Sequence, residues 1–407
     1  VPGVWDVLVI GGGPAGSSCA GHASRNGLST LIIDKARFPR DKPCGGGLSL
    51  PAARLVEEMI GTATFLTGSS KLRARGGGRE LEAAFGKPFV YQITRQQLDS
   101  GLMEWATGGG AEVMEGVYVG PTAISRSPGG FRVAVARPDG RRETVRARFL
   151  VGADGVFSVV RRCLSQPFSK KQLYFCTVGR AVPKGNRSYQ SLDEVLIDYG
   201  VVPRGYAWAF PKGDYYNVGT FGPMASSRAL IVGLDRFCSE RGLAMRAPKR
   251  GAFIAAPGFI SPAISGEALL VGDAAGFADP LTGEGLRYAI MSGKLAAEAL
   301  TLSEASGPLS NENRARVQGP VEGYAREARA LFGQEFAYAR LLAWLYARLP
   351  RVMFSAGFRE EKAASQAFRL LTGEVSYRRV VGALIKAVPS ALLCQIIPVS
   401  KTGFEPH

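Results

Sequence analysis

Histidine is nearly missing: it occurs twice in 407 residues, at His22 and at the C-terminal His407. That excludes a histidine-rich metal site. A Ser–His–Asp triad would have to use His22, in a Gly/Ala/Ser-rich segment, or the last residue, and neither is held as a general base must be. Cysteine is sparse too. Cys19, Cys44, Cys163, Cys176, Cys238 and Cys394 contain no C-x-x-C pair and no tight cluster. A zinc knuckle or a thiolate-held iron–sulfur cluster is excluded, and no metal is expected. The scatter suits reduced thiols in a cytoplasmic protein. Long apolar runs are absent as well. The most apolar stretch, Val380–Val399, is broken by Lys386, Pro389 and Pro398, short of the roughly 20 apolar residues that span a membrane. No signal peptide is visible, because the run Val7–Ile10 passes straight into glycines.

What is present is a basic chain able to form a large core. Lys and Arg number 50 against 34 Asp and Glu, a formal charge of +16, and 46% of the residues are hydrophobic. The basic residues are spread out, with short clusters such as Arg246–Lys249–Arg250, and no nucleic-acid motif accompanies them, so nucleic acid is not expected as a partner. An anionic substrate or anionic lipid suits the charge better, as does a merely basic soluble protein.

The N-terminus carries the sharpest pattern. Asp6–Ile10 reads as a buried parallel strand. Gly11, Gly13 and Gly16 follow as G-x-G-x-x-G with Pro14 and Ala15 between them; Ser17–Asn26 reads as a small-residue helix, and Leu28–Ile33 as a second strand ending at Asp34. Gly11 permits the tight turn, Gly13 lets the backbone approach a pyrophosphate, and Gly16 lets helix and strand pack closely. The helix N-terminus offers free N–H groups to phosphate. Asp34 stands where a carboxylate accepts from ribose hydroxyls. This motif alone leaves NAD and FAD both open.

Further motifs follow in order. Phe149–Gly155 is a strand ending in Asp154-Gly155. Ala268–Gly276 is another, ending in Gly272-Asp273. Asp279-Pro280-Leu-Thr-Gly283-Glu284-Gly285 precedes a helix from Leu286 to about Leu300. Together they resemble the flavoproteins typified by p-hydroxybenzoate hydroxylase. The resemblance implies one extended FAD, with Gly272 and Asp273 at its ribose and pyrophosphate and Gly283–Leu286 near the isoalloxazine. Arg95, in Ile93–Asp99, matches the family arginine that approaches the phosphates. A helix N-terminus at Leu286, aimed at the flavin, would favour an anionic reduced ring.

No second dinucleotide motif is present. Electrons are therefore expected from a transient NAD(P)H or from a ferredoxin-type protein. The segment Lys35–Ser49 holds Lys42-Pro-Cys44-Gly45-Gly46-Gly47, where glycines let backbone lie against a flat ring. In Tyr206-Ala-Trp208-Ala-Phe210-Pro211 the rings alternate and share one strand face. These two segments resemble the geranylgeranyl reductase family. The resemblance implies a Cys44–Gly46 loop beside the flavin, Tyr206, Trp208, Phe210 and Pro211 lining an isoprenoid pocket, and hydride transfer to a C=C bond with Cys44 tuning the flavin or relaying a proton. Thr372–Tyr377 shares the flavour of that family's helical end. Flavin-dependent halogenases and monooxygenases share the fold and form one alternative; a non-catalytic flavin electron carrier at the membrane is another.

The expected fold is α/β, α+β overall. A Rossmann-like FAD-binding domain takes residues 1–70, 93–165 and 262–310. A mainly antiparallel substrate domain takes 71–92 and 166–261, and C-terminal helices take 311–407. Phe332, Phe336, Leu341, Trp344 and Leu345 are expected on one helix face, against the core or against a lipid surface.

Overall fold

The computed structural model describes residues 3–185, 192–260, 262, 267–305, 319–349, 369–370 and 372–387. Cys394, His407 and the end of the Val380–Val399 stretch lie outside them. Trp5–Ile10 is a nearly fully buried strand, paired in parallel with Thr30–Asp34 on one side and with Ala147–Gly152 on the other. The apolar run Val7–Ile10, buried on both faces, suits that central place. The seven-stranded sheet adds Glu112–Glu115 in parallel beside Thr30–Asp34 and Ala268–Leu270 in parallel beside Leu150–Gly152. The hairpin Gly130–Ala136 with Arg142–Gly152 then runs antiparallel, continued by Tyr118–Ser127.

The first helix begins at Pro14, three residues earlier than the apolar pattern indicates, with Gly13 as its N-cap. Proline suits the first helical position, since its fixed φ is preset and its missing N–H needs no partner. The earlier start aims the free N–H groups at the glycine turn. The helix packs against Leu286–Ala305, so closely that a Cβ at Gly293 would stand 2.3 Å from the carbonyl oxygen of Ala15. Arg95–Gly108 opens with a capping box in which Thr94 and Gln97 satisfy each other's backbone.

An eight-stranded sheet lies beside this unit, in the order Leu243–Met245, Leu173–Pro183, Tyr216–Pro223, Tyr206–Pro211, Glu194–Asp198, Lys71–Gly76, Arg79–Ala84, with Arg250–Ala255 also on Leu173–Pro183. Only the Glu194–Asp198/Lys71–Gly76 pair within it is parallel. A small third sheet joins Gly47–Ser49, Val90–Gln92 and Thr67–Ser69. It ties the Cys44–Gly47 loop to a segment the sequence assigns to the substrate domain.

The C-terminal helices divide the apolar residues that spacing groups together. Phe332 and Phe336 are fully buried, packed on Phe277 and Tyr288, whereas Leu341 and Trp344 are 41% and 39% exposed. At about 100° per residue, nine residues turn a side chain halfway round the axis, and a π-turn at Arg329–Gly333 shifts the register of Gln334–Arg348 further. The expected common face is therefore two faces. Among the described residues no helix is long and apolar enough to cross a membrane, and no His/Cys/Asp/Glu group would hold a metal.

Candidate active site

One continuous cavity of about 1940 Å³ runs between the two large sheets and under the C-terminal helices. At one end it is walled by Gly11, Gly13, Pro14, Ala15, Asp34, Lys35 and Arg95, with Asp154, Gly155 and Asp273 beyond. Gly11 has φ +104°, and a Cβ there would stand 2.4 Å from the carbonyl oxygen of Ala153, so the turn requires glycine. Asp34 accepts from the N–H of Gly12 at 2.7 Å and of Ala36 at 2.7 Å. Its carboxylate thus shapes the glycine loop as well as facing the cavity.

Charge at this end is arranged for an anion. Asp99 is fully buried and receives Arg95 through Nε at 2.8 Å and Nη2 at 2.7 Å. Arg40 reaches the same carboxylate at 2.9 Å. Two guanidinium groups on one carboxylate leave an excess positive charge beside Gly13, and Arg40 Nη2 lies only 3.3 Å from where a Gly13 Cβ would be. Burying such an excess is costly unless an anion completes it. A dinucleotide pyrophosphate fits this cradle.

Four of the expected contact residues do not line the cavity. Gly16 sits behind the turn, where a Cβ would stand 1.8 Å from the carbonyl oxygen of Gly11. Gly272 faces Ala15 and donates its N–H to Ser292 Oγ at 2.9 Å. Pro280 and Pro211 are buried behind the wall. All four support the wall rather than form it.

The middle of the cavity is made by two loops and one strand. Cys44, Gly45, Gly46, Ser49 and Lys42 line one side, and Gly283, Glu284, Gly285 and Leu286 the other. The hydroxyl of Ser49 donates to the Glu284 carboxylate and joins the loops. Burial pushes the Glu284 pKa up, opposed by that hydrogen bond; its accessible surface faces the cavity. Lys42 lies 3.7 Å from Asp273. The Cys44 thiol accepts the N–H of Gly46 at 3.4 Å, and the Cys44 carbonyl accepts from Asn217 Nδ2 at 3.0 Å. Asn217 Oδ1 in turn accepts Trp208 Nε1 at 3.1 Å. Tyr206, Trp208 and Phe210 all line the cavity on the strand Tyr206–Pro211, and the Tyr206 hydroxyl donates to the Thr282 carbonyl. Beyond them the wall is mostly hydrocarbon, from Leu72, Leu81, Phe85, Phe89, Val195 and Ile197, with Glu82 beside Leu81.

Asp279, Tyr377, Asn217, Arg40 and Cys176 carry no role in the motif reading but belong to this site. Cys176 is a second thiol in the wall, its pKa pushed up to about 12 by burial. Asp279 is buried and accepts the N–H groups of Leu281 and Thr282, both at 2.8 Å, and the Tyr377 hydroxyl at 2.7 Å. Tyr377 N–H donates to Glu335 at 3.1 Å. The C-terminal Thr372–Tyr377 segment thus braces the Gly283–Gly285 loop. Removing the hydroxyl by Tyr377→Phe leaves a buried carboxylate oxygen short of a donor, a cost of about 1–3 kcal/mol. Urea unfolding should show that loss of stability.

Residues 4–305 match the family model described as FAD binding domain. The chain belongs to that FAD-binding family. It is an FAD-dependent oxidoreductase of the geranylgeranyl reductase type, and FAD is its cofactor. A menaquinone reductase of Mycolicibacterium smegmatis is 32% identical over 93% of this chain and 92% of its own length. A digeranylgeranylglycerophospholipid reductase of Methanosarcina acetivorans is 30% identical over 77% of this chain and 79% of its own. Among solved structures, a geranylgeranyl bacteriochlorophyll reductase-like protein of Thermoplasma acidophilum matches with a TM-score of 0.76 at 22% identity. That match covers 97% of this chain and 99% of the other. It shows the fold, a Rossmann-like FAD-binding unit joined to a second sheet.

Proposed function

We propose that the FAD-loaded enzyme reduces C=C bonds in the chain of a geranylgeranyl or polyprenyl substrate. The observation that carries this reading is the continuous cavity, which joins the glycine-rich cofactor end to an aromatic strand and then to a largely apolar arm of aliphatic and phenyl side chains. The relatives named for menaquinone and for a digeranylgeranyl lipid support it, since both molecules carry isoprenoid chains.

Gly11, Gly13, Arg95, Arg40, Asp34, Asp154 and Asp273 would hold the FAD, which supplies the hydride when reduced. The protein's own work is binding, orientation and proton supply. An isolated alkene is a poor electrophile, so near-attack placement and exclusion of water matter. Tyr206, Trp208 and Phe210 would grip the chain beside the Cys44 loop. Each buried methylene contributes about 0.8 kcal/mol to binding. The carbon that does not receive the hydride needs a proton. Cys44, at the cavity wall with its sulfur accepting the Gly46 N–H, would supply it from its S–H. NAD(P)H or a ferredoxin-type protein would supply the electrons. The exposed Leu331, Leu341 and Trp344 would let the protein rest on a lipid surface that holds such substrates.

Mass spectrometry of a polyprenyl lipid after turnover tests the reading. The product should gain the mass of two hydrogens per bond reduced. A product carrying oxygen or halogen instead would overturn it.

A further inference from the structure

We propose that Lys212 is a positioning residue that holds the Gly46 peptide, and through it the cavity face of the Cys44–Gly47 loop, in the shape the bound flavin requires. The inference rests on reading that loop as the flavin-side loop.

Lys212 follows Phe210 on the cavity face of the aromatic strand, but its own side chain turns behind the loop and is buried, 6% exposed. Its Nζ donates to the Gly46 carbonyl at 2.7 Å, Gln92 Oε1 at 3.0 Å and the Ile93 carbonyl at 3.2 Å. An ammonium has three N–H donors, and here each has an oxygen. No carboxylate among the described residues pairs with it, and the neighbour that favours its charged form is Cys44. Burial pushes its pKa down to about 7. The three oxygens oppose that shift, because a neutral amine would leave one of them without a donor.

A buried lysine clamped on two peptide carbonyls and a side-chain amide oxygen is costly to keep, and what it clamps is specific. Gly46 has φ +62°, and a Cβ there would stand 2.1 Å from the Ile93 carbonyl oxygen and 3.0 Å from Lys212 Nζ. The Gly46 carbonyl also accepts the Ile93 N–H at 2.9 Å. The turn that presents Cys44 is therefore fixed from behind by Lys212 and from the side by Asn217. Both come from the hairpin that bears the aromatic wall, so the substrate wall and the flavin-side loop are held as one piece. Nothing in the geometry gives Lys212 contact with substrate: it does not line the cavity.

The test uses the full-length protein with Lys212→Met, Gln92→Leu and the double variant. In the apo-protein, amide hydrogen exchange over residues 44–49 should speed up by about tenfold or more in Lys212→Met. With FAD bound, the flavin's absorption maximum and midpoint potential should shift. A misplaced catalytic loop should lower kcat about 100-fold with KM little changed. Gln92→Leu should move the same readouts in the same direction by less, and the double variant should be non-additive. If Lys212→Met does not fold, Gln92→Leu carries the test alone. Unchanged exchange over 44–49 in whichever of these variants folds would overturn the inference. Faster exchange with an unmoved flavin spectrum and potential would overturn the flavin-side reading of the loop, and the positioning role with it.

Discussion

Cys44→Ala should lower turnover by about 100- to 10,000-fold, the range set by loss of a positioned proton donor, while FAD stays bound. The two effects separate because of what Cys44 touches. Its side chain makes one hydrogen bond, from the Gly46 N–H, and its link to Asn217 runs through its backbone carbonyl, which alanine retains. Among the described residues, no hydrogen bond joins its side chain to the residues proposed to hold phosphate and ribose. Steady-state turnover and the bound-flavin absorbance, measured on one preparation, check both halves. Turnover within threefold of wild type would remove Cys44 from the chemistry. Loss of FAD would make it a binding residue instead. Cys176, whose thiol burial keeps protonated to about 12, offers a control: Cys176→Ala should leave the proton supply intact.

Gly13→Val should cost at least about 100-fold in FAD affinity, near 2.7 kcal/mol at 1.36 kcal/mol per tenfold, with the apo-fold intact. Gly13 has φ −74° and ψ −176°, an extended conformation open to any residue. The nearest atom to an added Cβ is Arg40 Nη2 at 3.3 Å, the tip of a long side chain rather than backbone. The protein therefore tolerates the side chain, and a pyrophosphate would not. Gly16 is the contrast. A Cβ there would collide with the Gly11 backbone at 1.8 Å, so Gly16→Val should damage the fold itself. Calorimetric titration with FAD and the thermal midpoint of the apo-protein distinguish the two cases. A Gly13→Val protein that binds FAD normally would show that phosphate does not sit on this turn.

Part of this architecture is legible in local pattern. The strand Tyr206–Pro211 has the bounds its alternation indicates, and the helix after Gly285 begins at Leu286. Both depend on neighbours in the chain. The period that puts three rings on one face also reaches position 212, so a signal for Lys212 exists; it is masked because lysine beside Gly213 usually marks a turn. Arg95 and Asp99 stand four apart on one helix, a spacing the sequence shows, but Arg40 reaching Asp99 across 59 residues and Tyr377 bonded to Asp279 across 98 residues leave no local trace. Long-range hydrogen bonds have no period to detect. The division of the C-terminal apolar residues is partly readable, since nine residues of ordinary helix already set Leu341 opposite Phe332; the further shift at the π-turn has no signal in the spacing.

The central claim is that this cavity brings a prenyl double bond to reduced FAD. The most direct measurement is the absorbance of the FAD-loaded protein, chemically reduced and held under nitrogen, on mixing with a geranylgeranyl lipid. The account predicts return of the oxidised flavin band in step with appearance of the saturated chain, and abolition of that coupling in Cys44→Ala. A flavin that stays reduced with every prenyl compound, and is reoxidised only by oxygen, would contradict it.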